Sequence, residues 1–325
     1  MADVICLGIL VADVIARPVD EYPKRGELTL CRQIEPSVGG CAANTGIGLQ
    51  KLGVDTAILG KTGNDGFGDF LRDVLSEHGL NATGVTRDAS TSTSATMVMV
   101  SADGERSFIH CIGANATFTT DDVNWDLIKS AKLLHIAGHF LMPSFDGSPC
   151  AEVLRRAREM GITTSLDTAW DAGGKWMETL RPTLPYIDYF VPSYSEARRC
   201  MADLGVGNDS PENVARAFQD EGVGVVALKM GEAGSYIRAG QNENYREYRI
   251  PPFRVRAVDA TGAGDAFAAG FLAGVMHGFD LETTGKLANA TGACCVTQVG
   301  TVGGIRSLEE TLAFVDEQEK RGWHK

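Results

Sequence analysis

The chain has 325 residues, 44% hydrophobic and 22% charged, with a formal net charge of −12. That is long enough for a large core with an appendage, but it lacks the basic footprint of a nucleic-acid binder and any uncharged apolar run able to span a bilayer. The acidic balance serves solubility and leaves substrate phosphates to local dipoles and metal ions. In chain order, VICLGIL (4–10) reads as a buried strand. Asp3 and Asp13 interrupt the apolar opening and no basic stretch precedes it, so it does not read as a secretory leader, and a cytoplasmic setting is expected. Residues 14–38 carry two strand-like pieces, VIARPV and ELTLCRQI, around a Pro- and Gly-bearing turn. Helix AANTGIGLQKLG (42–53), strand TAILG (56–60) and helix DGFGDFLRDVLSEHG (65–79) follow. Residues 95–112, ATMVMVSADGERSFIHCI, are two period-2 runs joined around Asp103-Gly104, a hairpin signal.

Further buried strands are LLHIAG (133–138), TTSLD (163–167), YFVPS (189–193) and VVALKMG (225–231), with helices AEVLRRAREMG (151–161) and SPENVARAFQDEG (210–222) between them. Each helix ends in Gly, and Ser210, Pro211 and Asn213 suit a helix start. The C-terminal SLEETLAFVDEQEKRG reads as an amphipathic helix with solvated charges. Alternating strand and helix predicts an α/β fold with a parallel sheet covered on both faces. The core is expected over 1–12, 39–94 and 113–325. Segments 13–38 and 95–112, which lack crossover helices, are expected to form a small antiparallel sheet that serves as a lid, a homodimer surface or both. The eight cysteines (Cys6, Cys31, Cys41, Cys111, Cys150, Cys200, Cys294, Cys295) show no C-x-x-C spacing, so zinc is not expected, and vicinal Cys294 and Cys295 read as reduced core thiols.

Gly60-Lys61-Thr62 lacks the earlier Gly of a P-loop, since position 55 is Asp, and no G-x-G-x-x-G follows the first strand. DATGAGDAF (259–267) differs, because the helical pattern AFAAGFLAGVMHG follows it. A turn at Thr261-Gly262-Ala263-Gly264 then opens a helix whose free N–H groups and dipole form an anion site. Asp265, at the helix start, can accept a proton from a hydroxyl attacking phosphorus, or can be no more than a helix-start residue.

DATGAGDAF resembles the C-terminal signature D-T-x-G-A-G-D of the ribokinase-like (PfkB) carbohydrate kinases, and VGGCAANTGIGLQKLGVDTAILGKTGNDGFG (38–68) resembles their N-terminal signature. The resemblance implies a three-layer sandwich with a mostly parallel central sheet and a small β lid. It makes Asp265 the general base and the amides of Gly262, Ala263 and Gly264 the anion hole. It gives Asp13, Gly39, Gly40 and Asn44 to the sugar; Asn44 could instead cap its helix. Lys229, Gly231 and Gly234 match the nucleotide turn, where a plain hairpin is the alternative, and Asn289 the adenine pocket, where a mid-helix surface residue is the alternative. Asp259 and Thr261, with main-chain oxygens near Cys295, Gln298 and Gly300, match a monovalent-cation loop; Asp259 could equally cap the turn.

Two motifs depart from the pattern. The magnesium-associated N-x-x-E is Ser193-Tyr194-Ser195-Glu196, keeping Glu196 but not Asn, and D-x-N-x-R is Asp167-Thr168-Ala169-Trp170-Asp171. Asp in place of that Arg argues against an acidic sugar and for a neutral, hydroxyl-rich one. Trp170 is placed in the core rather than on a sugar face. Asp167, Asn115, His139 and His110 are substrate candidates, the histidines more readily structural. The expected activity is ATP- and magnesium-dependent transfer of a γ-phosphoryl group to a primary hydroxyl, with K⁺ as a further ion. A nucleoside kinase and a non-catalytic regulator are the alternatives.

Overall fold

The computed structural model describes residues 2–202, 209–240 and 244–322. The first half of the chain forms β1 (Val4–Gly8), β2 (Val11–Arg17), β3 (Gln33–Gly39), α1 (Cys41–Lys51), β4 (Thr56–Gly63), α2 (Gly66–Glu77), β5 (Asn81–Asp88), β6 (Ala95–Val100), β7 (Arg106–Cys111), α3 (Trp125–Lys129), β8 (Leu133–His139) and α4 (Ser148–Glu159). The second half adds β9 (Thr163–Thr168), α5 (Trp176–Leu180), β10 (Tyr189–Phe190), α6 (Tyr194–Ala202), α7 (Pro211–Asp220), β11 (Val225–Lys229), β12 (Ser235–Ala239), β13 (Arg246–Ile250), α8 (Ala263–Met276), α9 (Leu281–Cys295) and α10 (Leu308–Lys320). No described helix is long and apolar enough to cross a membrane.

Nine strands form one sheet in the order β13-β12-β11-β10-β9-β8-β1-β4-β5. All its pairings are parallel except β11 with β12 and β12 with β13. The period of two along β1 shows why helices must cover both faces. Val4 and Cys6 point into a layer with Ile47 of α1 and Phe267 and Phe271 of α8, while Ile5 and Leu7 point into one with Val153 of α4 and Phe218 of α7. α1, α2, α4 and α7 each end before a glycine with positive φ, at Gly53, Gly79, Gly161 and Gly222, as their C-terminal Gly predicts. Cys294 and Cys295 are buried free thiols.

A second sheet has the order β3-β2-β6-β7. It uses the two segments predicted for the lid, with two corrections. β2 pairs β6 in parallel, so only β2–β3 and β6–β7 are antiparallel. Strand β3 lies over 33–39 rather than 27–34, and residues 27–32 are loop. Pro36 sits on this edge strand, where its missing N–H costs no ladder bond. Leu28 and Leu30, whose alternation suggested a strand, are 82% and 84% exposed.

Candidate active site

β1 ends where the second sheet begins, so Asp13 lies on β2 and not at the end of the first core strand. It pairs across to Ser37 and Thr96. A Cβ on Gly39 would lie 2.4 Å from Asp13 Oδ2, so only glycine lets that carboxylate lie against β3. Burial lifts the Asp13 pKa to about 6, with the Thr96 hydroxyl opposing it. Asp13, Ser37, Thr96, Ile15, Val98 and Phe108 line a cavity of about 400 Å³ between the second sheet and the loop Val258–Thr261, shared with Arg17, Arg106, Gly300 and Thr301.

The loop opens α8 as predicted. Gly262 is its N-cap at φ 77, and a Cβ there would meet Thr301 O at 2.4 Å. One of the three expected anion-hole amides, that of Ala263, is used within the turn. Ala263 N–H turns back to Ala260 O (3.3 Å), while Ala266 N–H starts the helical ladder on Gly262 O. The N–H groups of Gly262, Gly264 and Asp265 have no acceptors among the described residues, at the positive end of a 14-residue helix.

Asp265 Oδ2 accepts a 2.8 Å hydrogen bond from Asn44 Nδ2. Asn44 lies within α1, whose N-cap is Gly40, so the capping alternative fails, and its buried Oδ1 has no donor. Burial raises the Asp265 pKa, against the Asn44 bond and the Lys229 charge. The Cys41 thiol also borders this carboxylate, and burial and Asp265 together push its pKa well up. Sequence reasoning did not single out Cys41 because nothing local marks a thiol that meets its partner only in the fold.

Lys229 Nζ binds both oxygens of Asp167, at 2.7 and 2.6 Å, and lies 3.5 Å from where a Cβ of Gly264 would stand. It therefore bridges β9, β11 and the anion hole, and Asp167 serves first as its counter-ion. Burial works to lower the Lys229 pKa, but Asp167 and Glu196 overcome it and hold the ammonium charged. Gly231 and Gly234, both at positive φ, turn the chain from β11 to antiparallel β12, so the hairpin geometry is present. Ser193 Oγ accepts from Glu196 N and Glu196 Oε2 from Ser193 N, both at 3.2 Å, a reciprocal cap that starts α6 without Asn. Glu196 Oε2 also takes the Thr168 hydroxyl at 2.9 Å.

Asp259 faces away from this cluster. Its Oδ1 accepts from Thr261 N and Oγ1, its Oδ2 from Gly300 N, and Arg106 of β7 pairs with it at 2.7 Å. Cys295 Sγ donates to Thr301 O at 3.2 Å; Gln298 lies in the turn before Gly300. Five other candidates remain. Asn115 is committed to Leu10, accepting from its N and donating to its O, so its amide holds the β1–β2 junction. Asn289 is buried, not a surface residue, and donates to Ile250 O and Pro251 O. Trp170 is 55% exposed, edge-on to Trp176, and not in the core. His139 is buried 3.1 Å from the Asp146 carboxylate. His110 meets Thr96 Oγ1 at 3.0 Å on the second sheet.

This geometry belongs with known proteins. The ATP-dependent ribose-1-phosphate kinase of Halopiger xanaduensis is 30% identical over 318 residues, covering 98% of this chain and 99% of that one. The structure of Arabidopsis thaliana ribokinase complexed with ribose and ATP superposes with a TM-score of 0.81 at 24% identity, covering 97% and 98% of the two chains. A ribokinase-type chain from E. coli in complex with ATP and Mg²⁺ gives 0.80 at 24% identity, covering 98% and 100%. The pfkB family carbohydrate kinase model matches residues 1–307, and the chain belongs to that family.

Proposed function

We propose that this kinase transfers the ATP γ-phosphoryl group to a primary hydroxyl of a neutral sugar. The charge balance of the cavity carries the reading. Of its two arginines, Arg17 is bridged to Glu35 and Arg106 to Asp259, each at 2.7 Å. Asp13 is left as a lining carboxylate with no cationic partner among the described residues. Such a cavity repels an anion and suits a polyol whose hydroxyls donate to a carboxylate.

Asp265 takes the proton of the attacking hydroxyl as its oxygen bonds to phosphorus. The bond to the bridging oxygen breaks, and ADP leaves with the electron pair. The Gly262, Gly264 and Asp265 amides, the α8 dipole and Lys229 stabilise charge on the transferring oxygens. Among the described residues no cluster of three His, Cys, Asp or Glu is arranged to hold a metal directly. Magnesium would neutralise the nucleotide phosphates, with Glu196 and Ser193 as the residues to hold its waters. Gly231, Gly234 and Asn289, which fixes the chain at Ile250–Pro251, would frame the nucleotide. The apolar wall of Ile15, Val98 and Phe108 supports a second reading, a nucleoside kinase whose acceptor places its base there.

The test is a coupled ADP-release screen over hexoses, pentoses, sugar phosphates, sugar acids and nucleosides. A neutral sugar should turn over fastest, and Asp265→Asn should lower kcat by about 10²-fold or more. Nucleosides ahead of sugars would establish the second reading, and silence on all acceptors would favour a non-catalytic regulator. The exposed Leu28, Leu30, Ile34, Phe108 and Ile109 of the lid segments support a homodimer through this sheet. Sedimentation of Leu28→Asp/Leu30→Asp as a monomer beside a dimeric wild type would establish it; identical profiles would refute it.

A further inference from the structure

The family resemblance places a monovalent cation at Asp259, and the residues present do not fit one. An ionised carboxylate offers about four lone-pair sites. Asp259 meets four donors: Thr261 N (2.8 Å) and Thr261 Oγ1 (2.7 Å) on Oδ1, Gly300 N (3.0 Å) on Oδ2, and an Arg106 guanidinium nitrogen 2.7 Å from Oδ1. A second Arg106 nitrogen donates to Thr261 Oγ1. The Cys295 thiol points at Thr301 O (3.2 Å) and Thr261 O (3.7 Å), so a hydrogen-bond donor stands where a bare cation needs only oxygens. The carboxylate is thus already paired with a cation.

We propose that the Arg106 guanidinium is the resident cation of this loop, taking the place of K⁺. Arg106 comes from the lid: it is the first residue of β7, pairs with Val100 of β6, and follows a hairpin closed by the Ser101 N to Glu105 O bond. It reaches 155 residues along the chain to Thr261, directly before the Gly262 turn that aims the α8 amides. A diffusible ion would brace the loop whether the lid is open or closed. An arginine on the lid braces it only when the lid is down, so closure and assembly of the anion hole become one event. The anion-hole consequence rests on the kinase reading; the replacement of the cation does not.

The test is therefore made first on the free protein, by melting it in potassium chloride and in tetramethylammonium chloride at equal ionic strength. Wild type should melt at the same temperature in both salts. Arg106→Ala should melt about 2–4 °C lower in tetramethylammonium, with potassium restoring the difference. Arg106→Lys should behave as wild type, and Arg106→Ala/Asp259→Asn should lose the potassium response. A potassium gain in wild type would overturn the proposal even were Arg106→Ala unable to fold. No potassium response in a folded Arg106→Ala would overturn it as well. Titration of wild type with Mg²⁺ and a non-hydrolysable ATP analogue is a separate arm. Absence of binding there sinks the kinase reading and leaves the melting result intact.

Discussion

Replacing Asn44 with Ala tests how the base is set, because that one amide contacts Asp265 Oδ2 at 2.8 Å inside a buried site. A hydrogen bond to a charged group contributes about 1.5–3 kcal/mol. Its loss raises the Asp265 pKa. That adds to the rise already caused by burial. The sign follows from the role: the base works ionised, so activity falls as pH drops through its pKa. The acid limb of kcat/KM for the fastest acceptor should therefore move alkaline in Asn44→Ala. On the alkaline plateau the variant should approach wild type, since Asn44 tunes a proton and Asp265 still accepts it. The assay is ADP release across a pH series, with a melting curve to confirm the fold. An acid limb that stays in place while the whole profile drops would refute the reasoning, for it would make Asn44 a substrate contact.

Two further outcomes follow from the same geometry. Acceptor KM should rise about tenfold as pH falls through about 6, where Asp13 protonates and its charge-assisted bonds become neutral ones, and Asp13→Asn should remove that dependence; a flat KM across that window would contradict its role. Gly262→Ala puts a Cβ 2.4 Å from Thr301 O at φ 77, a left-handed conformation that costs about 1–2 kcal/mol before any clash. Single-turnover phosphoryl transfer should slow more than tenfold with acceptor affinity kept, and an unchanged rate would mean the turn does not aim the amides.

Features carried by neighbouring residues were legible in the sequence. The switch from DATGAG to a long apolar helical pattern marked the α8 N-terminus, and the period-2 runs around Asp103-Gly104 marked the lid hairpin. Strands β12 and β13 went unseen because they close the sheet edge as an antiparallel pair, and β13 is largely exposed without apolar alternation. The misplaced β3 has the same origin: ELTLCR alternates like a strand with its leucines in solvent, whereas the true strand contains Pro36. Lys229 with Asp167 lies 62 residues apart in sequence, and Asn44 with Asp265 lies 221 apart. Local pattern could place each residue at the carboxyl end of a strand or the start of a helix, but not assign its partner.

Those partners decide which carboxylate does the chemistry. Near the phosphate-binding turn stand Asp167, Asp259 and Asp265, and repulsion among them and the phosphates would be severe if all were bare. The fold gives the first two a cation each, Lys229 on Asp167 and Arg106 on Asp259; burial still lifts the Asp167 pKa to about 7, while Asp259 is held below the usual carboxylate range. Asp265 receives only neutral close donors, the Asn44 amide and the Cys41 thiol, and burial raises its pKa. A carboxylate so placed ionises, yet holds a proton more readily than Asp259 does. That is what a base needs when it must take a proton during transfer and release it afterwards. The two aspartates flanking the glycines thus differ in their companions: a guanidinium fixes Asp259, and an amide leaves Asp265 free to react.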